Sequence, residues 1–137
     1  MTDLIQVQTT IAASRELVWE CYTAPEHVTQ WNHASPDWHS PQAENDLRVG
    51  GRFNYRMEAR DGSVGFDFTG MYEEVVPLER ISYVMDDGRK VVTTFEETEG
   101  GVVVTTLFDP EHENTRELQQ SGWQAILNNF KLHAEQH

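Results

Sequence analysis

Leu47 to Tyr72 reads LRVGGRFNYRMEARDGSVGFDFTGMY, and this stretch decides the fold. Asp61-Gly62 is a strong signal for a two-residue type I′ hairpin turn, which needs positive φ at both central positions. A turn centred there sets Arg60 opposite Ser63, Met57 opposite Phe66, Tyr55 opposite Phe68 and Phe53 opposite Gly70. Side chains alternate along a strand, so Phe53, Tyr55, Met57, Phe66, Phe68 and Tyr72 fall on one face. The other face carries Arg52, Asn54, Arg56, Asp67 and Thr69, with Arg56 directly across from Asp67 as an opposite-charge pair. One side of the hairpin is therefore large and apolar and the other charged.

The rest of the chain follows from the same periodicities. Leu4 to Ile11 alternates as a half-buried strand. Ser14 suits the N-cap of a short helix through Tyr22, and Pro25 suits the first position of a second, Pro25 to Trp31. His33 to Asp46, with Pro36 and Pro41, reads as irregular. Beyond the hairpin, Val76-Pro77-Leu78-Glu79 turns the chain into a strand at Arg80 to Met85. Asp87-Gly88 leads into Lys90 to Glu97, and Glu99-Gly100-Gly101 into Val102 to Phe108. These later strands are apolar on both faces, so pattern alone does not assign their inward side. Asp109-Pro110 ends the sheet and a long helix is expected over Glu113 to Glu135. At 100° per residue its Gln119, Trp123, Ile126 and Phe130 line up, flanked by Gly122, Leu127 and His133. The expected fold is α+β: a curved antiparallel sheet of about six strands around one long C-terminal helix, with two short helices after the first strand. Such a sheet leaves a cavity where it diverges from the helix, and Met and aromatic residues recur in ligand sites.

The chain has 137 residues, enough for one domain with a real core, here residues 1–137. Its net charge of −13 repels phosphate backbones and anionic membranes, so nucleic-acid binding and membrane insertion are not expected. The single cysteine, Cys21, excludes an internal disulfide and fits a reduced, cytoplasmic protein. Lying between Trp19 and Tyr22, it reads as a small buried residue rather than a nucleophile. No signal segment and no apolar run of membrane-spanning length is present.

Four segments in order carry a resemblance: IAASRELVWECYTAPEHVTQW, LRVGGRF, FDFTGMYEEVVPLERISY and QSGWQAILNNF. With this order of elements the chain resembles the START-like or SRPBCC superfamily, the helix-grip fold. Within it, the chain is similar to the heat-shock-protein-90 ATPase activator homologue family. The resemblance spans essentially the whole chain and implies a hydrophobic cavity between sheet and long helix. Its walls would be Trp31, Phe53, Tyr55, Met57, Phe66, Phe68, Tyr72, Trp123, Leu127 and Phe130. The fold hosts lipid carriers, hormone receptors, cyclases and co-chaperone domains alike. The chain starts directly at its first strand, without the separate N-terminal domain through which the eukaryotic co-chaperone makes a major contact. A chaperone partner is thus an expectation by family analogy alone.

Polar chemistry concentrates in WNHASPDWHS, Trp31 to Ser40. Trp31 and Trp38 would cover the cavity mouth, and His33 or His39 would offer a ligand one hydrogen bond. His33, Asp37 and His39 match no zinc signature, and neither a metal nor a cofactor is expected. Gln119, centred on a buried face, either orients a ligand or bonds the sheet. His133, near the helix end, suits the helix dipole. Gly50-Gly51 reads as a tight bend or bulge rather than a phosphate loop. Three functions follow. The first is binding of a small, mainly hydrophobic molecule, a lipid or an aromatic polyketide-like compound. The second is a cyclase or dehydratase with a general base from His33, Asp37, His39 or Gln-assisted water. The third is a module that stimulates a chaperone ATPase.

Overall fold

A computed structural model describes residues 4–137; residues 1–3 of the expected domain lie outside the described residues. The order is β1 (Ile5–Ile11), α1 (Arg15–Thr23), α2 (Pro25–Trp31), β2 (Trp38–Asn45), β3 (Arg52–Ala59), β4 (Gly65–Val76), β5 (Arg80–Met85), β6 (Lys90–Thr98), β7 (Gly101–Phe108) and α3 (Arg116–Glu135). The seven strands form one antiparallel sheet in the order β1-β7-β6-β5-β4-β3-β2. β1 and β2 occupy opposite edges, so α1 and α2 must carry the chain from one edge to the other.

The hairpin register is as the alternation requires: Phe53 pairs with Gly70, Tyr55 with Phe68, Arg56 with Asp67 and Met57 with Phe66. Arg56 reaches Asp67 at 3.6 Å but sits closer to Glu58 on its own strand, at 2.8 Å. The turn itself differs from expectation. Gly62 has φ +78°, whereas Asp61 does not enter the positive region. The Gly62 amide donates to the Ala59 carbonyl at 3.0 Å, and Asp61 Oδ1 accepts from the Ser63 amide at 2.8 Å. Ala59 N then bonds Val64 O, so four residues rather than two make the loop. The aspartate side chain stabilises that longer loop, which removes the need for two left-handed residues.

The stretch expected to be irregular contains the seventh strand, β2. It pairs with β3 from Trp38↔Ala59 to Asn45↔Phe53, with a register shift between His39 and Gln42. Pro41 lies in that shift. An edge strand has no outer partner and tolerates a proline at a bulge, which is why Pro41 and polar neighbours misleadingly read as loop.

The later strands turn Ile81, Tyr83, Val91, Thr93, Phe95, Val102, Val104, Thr106 and Phe108 inward. Ser14 caps α1, its side chain accepting from Leu17 N at 3.2 Å. Thr115 caps α3, accepting from Leu118 N at 3.1 Å, so the helix begins at Arg116 rather than Glu113. Gly50 takes φ +82°, and a Cβ on Gly51 would lie 2.1 Å from the Asp46 carbonyl. That is the tight bend the glycine pair implied.

α3 also closes the β1 edge with side chains. Gln120 Nε2 donates to Gln6 O (3.0 Å), Gln124 Nε2 to Gln8 O (3.1 Å) and Lys131 Nζ to Thr10 O (2.6 Å). The Gln8 amide donates to Gln124 Oε1 (3.3 Å) and the Ala12 amide to Glu135 Oε2 (2.8 Å). Two strand residues rise about 6.6 Å and four helix residues about 6 Å, so Gln6 and Gln8 meet Gln120 and Gln124 on successive turns of α3, and Thr10 and Ala12 meet Lys131 and Glu135 after one turn is skipped.

Candidate functional site

Between the concave sheet face and α3 lies a cavity of about 690 Å³. Its floor is the β3–β4–β5 face: Phe53, Tyr55, Met57, Phe68, Tyr72, Ile81 and Tyr83. Gln119, Gly122, Trp123, Ile126 and Leu127 of α3 form the roof, and Tyr22, Trp31 and Asn32 the inner end. The outer lining holds the exposed residues Phe66, Glu113, Asn114 and Leu118, which mark the mouth. Phe66 is 51% exposed and Leu118 59%, so apolar surface faces solvent on both sides of that mouth.

Ring packing fixes the floor. Phe53 contacts Tyr55, Phe68, Tyr72 and Tyr83 with centroids 4.8–5.5 Å apart, the Tyr83 contact edge-to-face. This needs Gly70 beneath: a Cβ there would lie 2.8 Å from Phe53 Cε1 and 3.0 Å from Tyr83 Cδ2. In the roof Trp123 stacks on Phe108 at 4.0 Å and 12°. Trp31 Nε1 donates to the Cys21 carbonyl at 2.8 Å, tying α2 to the last turn of α1. Asn32 Nδ2 rests on Met57 Sδ at 3.2 Å.

The polar groups on the floor and at the inner end are mainly phenols, with Glu111, Glu113, Asn114 and Gln119 at and before α3. Tyr72 Oη donates to Asn45 Oδ1 at 2.5 Å, and Tyr22 Oη shares a hydrogen bond with Thr93 Oγ1 at 3.3 Å. Thr93 and Thr106, cross-strand partners, share another at 2.9 Å. Burial pushes the phenols of Tyr22, Tyr55, Tyr72 and Tyr83 above the ordinary tyrosine value. They remain neutral hydroxyls at physiological pH, able to donate a hydrogen bond but not to act as bases. Arg89 also lines the cavity and is paired with Asp87 at 2.7 Å.

Ten of the residues marked from sequence lie around this cavity: Trp31, Phe53, Tyr55, Met57, Phe66, Phe68, Tyr72, Gln119, Trp123 and Leu127. Three lie elsewhere. Phe130 is fully buried one turn beyond, against Tyr22 and Trp31. Trp38 sits on edge strand β2 with its ring 6.0 Å from Phe66. His33 follows α2 outside the lining, its carbonyl accepting from Asn129 Nδ2 at 2.5 Å and its Nδ1 buried without a hydrogen-bond partner. Burial, then Arg60 and His39, hold the His33 imidazole below its ordinary value. His39 faces Glu58 at 3.8 Å.

Gln119 lines the cavity, and its amide bonds the loop before α3 rather than the sheet. Its Nε2 donates to Asn114 O at 2.9 Å and its Oε1 accepts from the Glu111 amide at 2.9 Å. The side chain fastens the loop between β7 and α3. Tyr83 and Tyr22 are the important lining residues that sequence reading missed. The signal for Tyr83 was present, since it pairs with Tyr72 and cross-strand partners share a face, but assigning it required the β4–β5 register. A bulge at Glu73, where pairing shifts between Tyr72 and Glu74, hides that register.

A curled antiparallel half-barrel gripping a C-terminal helix, with two short helices after the first strand, defines the helix-grip class of START-like, SRPBCC domains. Within it, this chain belongs to the family described as Activator of Hsp90 ATPase homolog 1-like protein, which it matches over residues 12–135. The solution structure of an AHSA1-like protein from Aeromonas hydrophila is 45% identical, with a TM-score of 0.92, covering 98% of this chain and 93% of that one. A solution structure from Cytophaga hutchinsonii is 48% identical, with a TM-score of 0.84 and coverage of 97% and 92%. A crystal structure of a protein from Nitrosomonas europaea, 22% identical, shares the fold with a TM-score of 0.83 and coverage of 97% and 94%. Comparison with curated proteins finds no match. Among the described residues no helix is long and apolar enough to cross a membrane.

Proposed function

We propose that this domain binds a small, mainly hydrophobic molecule in the cavity between sheet and α3. The observation that carries the reading is the cavity itself: about 690 Å³, walled by aromatic and aliphatic side chains and open at one end. That volume falls inside the roughly 300–1,000 Å³ of small-molecule sites. Rings on floor and roof offer edge and face contacts to a planar guest, which favours an aromatic, polyketide-like compound over a flexible acyl chain. Neutral phenols suit a ligand carrying a hydroxyl, carbonyl or phenolic group: Tyr72, whose hydrogen goes to Asn45 Oδ1, still has an oxygen that can accept, and Tyr83 offers a donor.

A cyclase or dehydratase would need an acid–base group within the cavity. Of the groups expected to serve, His33, Asp37 and His39 do not line it and the amide of Gln119 is committed to the loop before α3; the carboxylates that do line it, Glu111 and Glu113, lie in that loop, away from the aromatic floor. The chaperone reading rests on the family's description alone; a coupled ATPase assay with the host chaperone tests it, and stimulation at saturating protein would establish it.

The binding reading is tested with a fluorescent apolar probe and a panel of planar aromatic compounds and fatty acids. Aromatic members are expected to raise Tm and to shift NMR signals of Phe68, Tyr72, Trp123 and Leu127. A panel that leaves both the melting curve and those signals unchanged overturns it.

A further inference from the structure

Behind the inner end of the cavity, three helices bring together side chains that the ligand site does not use. Cys21 comes from the last turn of α1, His27 from α2 and His133 from the last turn of α3. Their ligating atoms lie within 4.8 Å of one another, and among the described residues this is the one such group of three. His27 Nδ1 and His133 Nε2 are 2.8 Å apart and share a proton. The His137 ring stands 4.2 Å from that of His133 and 5.3 Å from that of His27, with Nδ1 on the His133 carbonyl at 2.7 Å.

We infer that Cys21, His27 and His133 form a binding site for a zinc-class divalent cation, with His137 able to turn in as a fourth ligand. One thiolate with two or three imidazoles is a donor set for a borderline-soft ion, and it excludes the hard cations that select oxygen. Tetrahedral zinc sets neighbouring N and S ligands about 3.3–3.6 Å apart. The two imidazole nitrogens, now in hydrogen-bond contact, must separate slightly, and Cys21 Sγ must close by about an ångström. On binding, the Cys21 thiol gives its proton to solvent as the metal–sulfur bond forms. The proton between the two imidazoles moves to a nitrogen that does not face the metal. No redox partner is needed. The net charge of −13 favours cation capture. The site is independent of the cavity ligand: it joins positions 21, 27 and 133 and acts as a clasp between the ends of α1, α2 and α3.

The test uses the full chain, stripped with chelator and titrated with Zn²⁺ or Co²⁺. Expected are a rise in Tm with Zn²⁺, tetrahedral ligand-field bands with a sulfur-to-cobalt charge-transfer band for Co²⁺, and release of about one proton per metal near pH 7. On Zn²⁺ addition the ring resonances of His27 and His133 should shift while those of His33, His39 and His112 stay in place. H27Q, a change at a half-buried position, should weaken binding at least tenfold; C21S should abolish the charge-transfer band. The ring resonances of the unmodified chain decide the matter even if a variant misfolds. Shifts confined to other histidines, a cobalt spectrum without the sulfur band, or unaltered affinity in H27Q would each overturn the assignment.

Discussion

Gln124 does for Gln8 what a neighbouring strand would do: its amide oxygen accepts from the Gln8 N–H and its amide nitrogen donates to the Gln8 carbonyl. One side chain thus satisfies both backbone groups of a residue on the open edge of β1. Replacing Gln124 with Ala should cost about 1 kcal/mol, the usual net worth of such bonds, because water can substitute at an exposed position. Hydrogen exchange gives the sharper readout: the Gln8 amide should lose protection while Val7 and Thr9, which face β7, keep theirs.

The ring cluster on the cavity floor depends on the absence of a side chain at position 70. G70A drives a methyl into Phe53 and Tyr83, and overpacking of this kind costs about 1–3 kcal/mol. The displaced Phe53 ring enters the cavity. Chemical denaturation should show a lowered midpoint with unchanged m-value, and apolar probe binding should weaken in the same variant.

Trp31 acts through its indole N–H as well as its ring. The Cys21 carbonyl it bonds belongs to the last turn of α1, where helix carbonyls lack intrahelical partners. W31F retains most of the packing and removes the donor, leaving a buried acceptor unpaired. A loss of about 1–3 kcal/mol in urea unfolding is expected.

His33 makes stability depend on pH. Its folded imidazole is held below the ordinary value of 6.5, so the unfolded chain binds the proton more readily. The contribution is therefore complete above pH 6.5 and is lost as pH falls from there through the depressed folded value. Urea midpoints should fall between about pH 7.5 and 5.5, and H33Q should flatten the slope. Some slope should remain from His133, which burial, His137 and His27 hold low as well.

The cavity ligand should be visible to Trp123. Its indole stacks on Phe108 and forms part of the roof, so a bound aromatic compound should change its emission. W123F should remove most of that change and, by opening the roof, weaken binding several-fold. A full-sized emission change in W123F would place the guest against another tryptophan.

Much of the fold could be read directly. The alternation of Phe53, Tyr55 and Met57 against Phe66 and Phe68 fixed the hairpin register, and Ser14 and Pro25 marked the two helix starts. Where reading failed, the cause was physical. β2 has no outer partner and holds Pro41 in a bulge, so it lacks the apolar alternation that betrays inner strands. Asp61 bonds the Ser63 amide and lengthens the turn, which a dipeptide signal does not reveal. The site divides the same way. Residues on the hairpin and on α3 could be placed around a cavity, save Phe130 one turn beyond it; Trp38 and His33 could not, because the path of the segment after α2 is set by tertiary pairing. The closeness of Cys21, His27 and His133 depends on the crossing of three helices and leaves no mark in spacing.

The strand order has a temporal consequence. β1 is made first, yet its partner β7 lies near the other end of the chain, with Ile5 paired to Phe108 and Ile11 to Val102. Until residues 101–108 have left the ribosome, Ile5, Val7 and Ile11 have no sheet to join. Sheet closure and docking of α3 therefore come late, and such long-range pairing makes folding slow for a chain of this size. The β2–β6 meander needs only neighbouring strands and can form ahead of them. The aromatic floor is then assembled before its roof, which leaves it exposed to hydrophobic chaperone clients' fate, capture or aggregation, for the length of that delay.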